Sequence, residues 1–227
     1  MASRKLFIII LILISFSAKA SFILLPMDET TQQNHLKAYG ITYWCLDKNY
    51  KASWLLNYRG GSFLLPDALE IRKECQIRGV SFEIISDSEE VAILNEISSP
   101  SQNMEAVVLE KAPKIAVYTP KGKQPWDDAV TLILTYAEIP FTPIYDEEVL
   151  KDQLVLYDWL HLHHEDFTGQ YGKFWGAYRN ATWYLSDVAM QEALAKKHGF
   201  KKVSQLKLAV AKKINSFVAG GGFLFAM

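Results

Sequence analysis

The sequence predicts an α/β protein in which a mostly parallel sheet, flanked by helices, is preceded by a smaller α/β segment. Three observations favour this class. Short apolar runs alternate with segments of helical periodicity, and parallel strands need such crossover connections. The short polar segment Ser99–Asn103, which contains a proline, separates a less regular first half from a more regular second half. Hydrophobic residues make up 50% of the 227-residue chain, which is sufficient for an extensive core.

The first 20 residues have the features of an export signal. Arg4 and Lys5 precede an apolar run from Leu6 to Phe16, and Ala18-Lys19-Ala20 provides a small-x-small cleavage site. The apolar run is too short for a comfortable membrane span. We therefore expect a mature protein that begins near Ser21, is exported to the periplasm or secreted, and has no stable membrane span after signal cleavage.

Residues 21–103 alternate between predicted strands and predicted helices. The expected strands are Ser21–Met27, Ser53–Tyr58 and Val80–Ile85, and the expected helices are His35–Leu46, Pro66 to Gly79, and a third that Asp87 or Ser88 caps and that ends near Ser98. The segment from Arg59 to Ser62 either forms a tight turn or binds an anion through its backbone N–H groups. Cys45 and Cys75 either pair in an oxidising compartment or serve as two small buried hydrophobic side chains.

Residues 104–227 have a clearer α/β rhythm. The expected strands are Lys114–Tyr118, Phe141–Tyr145, Leu154–His161 and Phe223–Met227. The expected helical segments are a helix that begins at Pro125, a turn at Glu147–Lys151, a helix at Thr182–His198 and a helix capped by Ser204. The predicted buried face of the first helix consists of Ala129, Val130, Ile133, Leu134 and Ala137. The predicted buried face of the last helix consists of Leu206, Val210, Ile214, Phe217 and Val218. The last strand is apolar enough to be central and buried, so we expect the chain to be a fragment of a longer protein.

The densest cluster of polar side chains follows the predicted strand Leu154–His161. The cluster consists of His161, His163, His164, Glu165 and Asp166, with Gly169, Gln170 and Gly172 after it. Open α/β sheets present ligand sites where buried strands end, so these residues are candidates for a site. Alternation along a strand would place His161 and His163 on one face of the sheet, which suits an acid–base pair or a shared metal ion. The spacing is not the H-E-x-x-H pattern of zinc hydrolases, and a polar loop without chemistry is the structural alternative.

A second candidate segment, Thr119–Trp126, follows the predicted strand Lys114–Tyr118. It carries Lys121 and Lys123 into a predicted helix N-terminus, which attracts anions. The G-x-x-x-x-G-K-[ST] spacing of a phosphate-binding loop is absent, so a solvated basic turn is the alternative. We expect ligand contacts from Lys121, Lys123, Gln124 and Trp126, together with Asp166, Gly169 and Gln170 of the first cluster.

The composition restricts the partners. A net charge of −1 gives no basic surface for nucleic acid, so a small molecule or a peptide is the expected ligand. No motif for an organic cofactor is present, and we expect neither a cofactor nor a resident metal ion.

Several stretches of the chain resemble an exported bacterial family that is often labelled asparagine synthetase B. The similarity lies in Pro26–Trp44, Leu55–Asp67, Lys114–Val130, Tyr157–Phe174 and Val203–Met227, and it extends over essentially the whole mature chain. The second half also resembles the class I glutamine amidotransferase-like fold, which is flavodoxin-like. The S-G-G-x-D-S pyrophosphate loop and the N-terminal cysteine of ATP-dependent asparagine synthetases do not occur in this sequence.

This resemblance implies a mechanism for a longer protein. In family members the equivalent of Phe223–Met227 continues into a cysteine-containing turn, and such a cysteine would attack a glutamine-type amide. One of His161, His163 or His164 would act as the base, and Glu165 would orient it. The resemblance therefore implies amide hydrolysis or transfer by the longer protein and no acyl transfer by this chain. The alternatives are a non-catalytic exported module for binding or envelope assembly and, less favoured, a metal-dependent hydrolase.

Overall fold

The computed structural model describes residues 21–120, 129–162 and 176–226. The chain divides into two units, the first ending at Lys111 and the second beginning at Ala112. Each unit contains one β-sheet together with helices, so the protein belongs to the α/β class. The predicted division after Asn103 lies before the last strand of the first unit.

The first unit contains a five-stranded antiparallel sheet. Its strands are β1 (Ser21–Leu25), β2 (Ala52–Leu56), β3 (Phe63–Pro66), β4 (Glu83–Ser86) and β5 (Glu105–Leu109), and its helices are α1 (His35–Asp47), α2 (Leu69–Arg78) and α3 (Asp87–Ile97). The strand order is β4-β1-β3-β2-β5, and every neighbouring pair is antiparallel. The parallel sheet was predicted for the second half, and no pairing direction was predicted for this smaller segment. The short connection from β2 to β3 leaves no room for a parallel crossover, so these strands pair antiparallel.

Two strands of this sheet are missing from the sequence-based prediction. Strand β3 includes Pro66, which was expected to begin a helix, and helix α2 begins later, at Leu69. Strand β5 pairs along its whole length with β2. The cap of α3 is also displaced: the Ser86 hydroxyl accepts the backbone N–H of Glu89, whose carboxylate accepts the Ser86 N–H in return. This reciprocal arrangement is a capping box.

The turn between β2 and β3 depends on backbone conformations that glycine permits. The Gly61 and Ser62 N–H groups both donate to the Tyr58 carbonyl oxygen at 3.0 Å, so they are used within the turn and do not form an anion site. Gly60 has φ +81°, and a Cβ atom on it would lie 2.4 Å from the Met27 carbonyl oxygen. Only glycine fits there without displacing the backbone.

Arg59, in the same turn, has φ 44° and ψ 50° although it is not glycine. Its guanidinium donates to both oxygens of Glu83 at 2.9 Å and to Asp28 at 3.0 Å. Hydrogen bonds from two threonine groups and from Arg59 hold the pKa of Asp28 well below its usual value. These contacts stabilise a backbone conformation that L-residues rarely adopt.

The second unit contains a four-stranded parallel sheet. Its strands are β6 (Ile115–Tyr118), β7 (Phe141–Ile144), β8 (Trp159–Leu162) and β9 (Phe223–Ala226), and its described helices include α4 (Ala129–Ala137), α5 (Asp146–Leu150), α6 (Thr182–Lys197) and α7 (Val203–Ala219). The strand order is β7-β6-β8-β9. One core cluster joins the sheet to α5 and α7 through Ala116, Tyr118, Leu160, Val210 and Ile214.

Three details of this unit differ from the prediction. The segment Gln153–Leu156 is a 3₁₀ turn, and Val155 and Leu156 are 80% and 60% exposed, so the expected strand from Leu154 begins only at Trp159. On α4 the buried residues are Thr131, Leu134 and Ala137, whereas Ile133 is exposed. Among the described strands, β9 lies at the edge of the sheet and its side chains are exposed, so within this part of the chain it is neither central nor buried as expected. None of the helices in the described ranges combines the length and hydrophobicity that crossing a membrane requires.

Candidate functional site

The four parallel strands end at one edge of their sheet. Tyr118, the last residue of β6, is in register with Ile144 of β7 and Leu162 of β8, and Leu162 is in register with Ala226 of β9. In the sheet, β6 and β8 are neighbours. The strand that follows β6 in the chain, β7, lies on the side of β6 away from β8, and the strand that follows β8, β9, lies on the side of β8 away from β6. Connections that depart in opposite directions from adjacent strands open a crevice between them, and ligands of open α/β sheets bind there.

His161 is the one predicted site residue that lies within the described ranges. It belongs to β8, in register with Val117 and Phe225, and it is 4% exposed. Its ring stacks on Phe225 with centroids 5.2 Å apart and meets the edge of Trp159 at 6.4 Å. His161 is therefore a core side chain of the strand, one residue before the carboxyl edge, and the aromatic packing explains its burial.

The other predicted site residues fall outside the described residues. They are His163, His164, Glu165, Asp166, Gly169 and Gln170 after β8, and Lys121, Lys123, Gln124 and Trp126 after β6. Their predicted roles stay predictions. Both segments directly follow described residues at the carboxyl edge, Leu162 in the first case and Pro120 in the second. In the parts of the chain that are described, no three His, Cys, Asp or Glu side chains converge closely enough to hold a metal ion.

A buried ionic network lies beneath this edge. The Lys207 ammonium, on α7, is 2.9 Å from an Asp146 carboxylate oxygen, with side-chain exposures of only 2% and 0%. It also donates to the Tyr118 hydroxyl at 3.2 Å and the Tyr145 hydroxyl at 3.1 Å. The Tyr118 hydroxyl donates to the second Asp146 oxygen. Lys207 therefore uses all three of its N–H donors, which is the condition under which a buried charge is tolerated.

The network joins the ends of β6 and β7 to three helices, α5, α6 and α7. The Tyr118 and Tyr145 rings lie 4.8 Å apart, and the Lys207 ammonium is 4.4 Å from the centre of the Tyr145 ring. On α6, the Gln191 side-chain N–H donates to the Tyr145 hydroxyl at 2.6 Å. The network therefore fixes the position of Tyr145 at the carboxyl end of β7.

Sequence-based reasoning did not find this network, although α7 carried a signal for it. Lys207 precedes Val210 by three residues and Ile214 by seven, so helical periodicity places it on the buried stripe. A lysine at such a position needs a buried acceptor. The sequence does not reveal which carboxylate provides it, because Asp146 is one of three acidic residues in the first turn of α5.

A cleft of about 270 Å³ opens beside the network, at the carboxyl ends of β6 and β7. It is lined by Pro120 and Tyr145, by Glu147 and Glu148 of α5, and by one face of α6, namely Met190, Ala193, Leu194 and Lys197. The Glu147 carboxylate accepts from Lys151 at 2.7 Å and from Lys197 at 3.0 Å. These hydrogen bonds, that of Lys151 foremost, lower the pKa of Glu147 to about 2.

Neither thiol of the chain has the properties of a nucleophile. Cys45 and Cys75 are free, and both are 0% exposed in the first unit. Burial raises the pKa of each thiol to about 12, so almost no thiolate exists at neutral pH. The chain therefore carries no reactive cysteine.

The likeness of the chain to known proteins was tested in three ways. Comparison with protein-family models, with curated proteins and with solved structures finds no match in any of the three.

Proposed function

We propose that the chain is an exported α/β protein, related to class I glutamine amidotransferases, that binds a small amide-bearing ligand at the carboxyl edge of its parallel sheet. The observation that carries this proposal is the strand order β7-β6-β8-β9 with uniform parallel pairing. Numbered from β6, this order is 2-1-3-4, which is the beginning of the flavodoxin-like order 2-1-3-4-5. In that order the ligand crevice lies between the first and third strands, here β6 and β8.

The residues that follow these two strands supply the chemistry in this proposal. His163 and His164 follow β8 and are the candidates for the base, with Glu165 to orient it. Lys121 and Lys123 follow β6 and are candidates for contacts with the ligand carboxylate. His161 is a weaker candidate for the base, because its ring is packed between aromatic side chains.

The proposed activity of this chain is binding without hydrolysis. Amide cleavage by a class I mechanism needs a cysteine thiolate within hydrogen-bond reach of a base. The two thiols of this chain are buried in the first unit and have raised pKa values. Export is proposed from the basic residues, the apolar run and the cleavage site within residues 1–20.

The proposal is tested by calorimetric titration of the purified chain with L-glutamine and L-asparagine, together with an assay for released ammonium. We expect saturable binding of one of the two amides and no release of ammonium. The double variant His163→Ala with His164→Ala should bind that amide more weakly. His198→Ala is the matched control, since that residue follows α6 and is remote in sequence from both loops. Absence of binding by either amide would refute the ligand class, and ammonium release would refute the assignment of the chain as non-hydrolytic.

A second candidate function is a non-catalytic exported module for protein binding or envelope assembly. It is favoured by the edge strand β9, where Phe223 and Phe225 are 74% and 51% exposed. An affinity for protein or peptide without any affinity for amides would favour this candidate. The third candidate, a metal-dependent hydrolase, requires a tightly bound metal ion, which elemental analysis of the purified protein detects.

A further inference from the structure

The proposed signal cleavage site adjoins an inner strand of the first sheet. Cleavage after Ala20 would make Ser21 the first residue of the mature chain, and Ser21 is also the first residue of β1. In the strand order β4-β1-β3-β2-β5, β1 has a neighbour on each side. The peptide bond between Ala20 and Ser21 is therefore joined directly to a strand that is paired along both of its edges.

The main chain of β1 is held from its first residues onward. Ser21 is in register with Ser86 of β4, and the Ser21 carbonyl oxygen accepts the backbone N–H of Asp67 at 3.2 Å. Phe22 is in register with residues of both neighbouring strands, β3 and β4. Residues 23–25 are at most 1% exposed. The segment that directly follows the cleavage site is thus hydrogen-bonded and then buried in the folded unit.

The Ser21 side chain is held as well. Its hydroxyl donates to the Asp67 carboxylate, which also accepts two hydrogen bonds from the Arg72 guanidinium. The hydrogen bonds from Arg72 foremost, and then that from Ser21, hold the pKa of Asp67 below its usual value. The carboxylate is therefore ionised at neutral pH and accepts from the serine. Ser21 is fixed through both its main chain and its side chain.

Cleavage of a folded protein proceeds through a state in which the segment around the bond has opened. Opening the start of β1 breaks its pairing with β3 and β4, and core strands open with free energies close to that of global unfolding. We propose that the bond between Ala20 and Ser21 is hydrolysed only before the first unit folds, so that the chain is still unfolded when it meets the peptidase. Hydrolysis consumes one water molecule and leaves a carboxylate on Ala20 and an ammonium group on Ser21. This inference rests on the proposed export of the chain.

The test is a timed cleavage assay on the 227-residue chain with a purified signal peptidase. The chain is unfolded in urea and diluted into buffer, and the peptidase is added either at once or after circular dichroism shows that folding is complete. We expect a cut after Ala20, identified by mass spectrometry, when the peptidase is present from the start. The folded chain should be cut at least about a hundredfold more slowly, because the start of β1 must first open.

A matched control moves the cleavage site away from the sheet. A variant with six glycine and serine residues inserted between Ala20 and Ser21 gains about 20 Å of extended chain. It should be cut at similar rates before and after folding, because the site no longer adjoins β1.

Two kinds of outcome would overturn the inference, and they differ in what they say about export. Equal rates for the folded and the freshly diluted chain, or resistance of the folded insertion variant, would show that β1 does not protect the site and would leave the export proposal standing. Absence of a cut after Ala20 in the freshly diluted chain and in the insertion variant would refute the cleavage site on which both proposals rest.

Discussion

Removal of the Lys207 charge should destabilise the second unit strongly. In Lys207→Met the apolar stem is retained, but the Asp146 carboxylate stays buried, with the Tyr118 hydroxyl still donating to it and the ammonium gone. Breaking a buried ion pair from one side costs about 3–5 kcal/mol, since the remaining charge is left without its counter-ion. We expect Asp146→Asn to cost a similar amount, because it leaves the ammonium without a carboxylate.

The double variant Lys207→Met with Asp146→Leu distinguishes the cost of burying one unpaired charge from the net contribution of the ion pair to the free energy of unfolding. It removes both charges, so its loss of stability should be smaller than that of either single variant. The assay is urea unfolding followed by circular dichroism, with labelling of the two buried cysteines as a separate reporter of the first unit. A destabilisation confined to the second unit should leave the labelling transition in place.

A matched control is available on the same helix. Lys213 of α7 pairs with Asp152 at 2.6 Å, but the two side chains are 39% and 64% exposed. Lys213→Met should therefore cost less than about 1 kcal/mol. If Lys207→Met costs no more than Lys213→Met, the interpretation of Lys207 as a fully desolvated partner of Asp146 is incorrect.

Three other outcomes follow from the described contacts. The two buried cysteines should react with a thiol reagent only on unfolding, and rapid labelling of the native protein, or a disulfide in mass spectra, would contradict their state as free buried thiols. Gly79→Ala should destabilise the first unit by about 1 kcal/mol. Gly60→Ala should destabilise it more, because only this substitution brings a Cβ atom against the Met27 carbonyl group. Equal losses of stability in urea unfolding would contradict this prediction. The carboxyl of Glu147 should titrate near pH 2 in carbon NMR spectra. Its contribution to the stability of the folded protein should therefore be complete above its ordinary pKa of 4.5 and be lost as the pH falls towards 2. Titration near 4.5 would contradict the lysine contacts.

The two long helices of the second unit, α6 and α7, were predicted almost to the residue, because a glycine stands at or just after the end of each. The predicted helix Thr182–His198 differs from the observed α6 by its last residue. In the first unit, alternation between strands and helices gave no information on the direction of strand pairing. The short glycine-containing segment between β2 and β3 was a hairpin signal, and it could have predicted antiparallel pairing.

The location of the candidate site was predicted from the rule that ligand sites follow parallel strands, but its buried support was not. The apolar run Leu154–Leu156 misled the prediction, since Leu154 is buried in a turn while the two residues after it face water. The network around Lys207 joins residues far apart in sequence, namely Tyr118, Asp146 and Gln191. Periodicity identifies a buried lysine, but only the tertiary fold identifies its acceptor.

The central claim, that the carboxyl edge of the parallel sheet is the ligand edge, is tested most directly by amide NMR spectra recorded during titration with L-glutamine. The account predicts that shift changes among the sheet residues concentrate at Thr119, Leu162 and Ala226, which lie at that edge. Changes that concentrate instead at Trp159 and Phe223, where β8 and β9 begin, would contradict it.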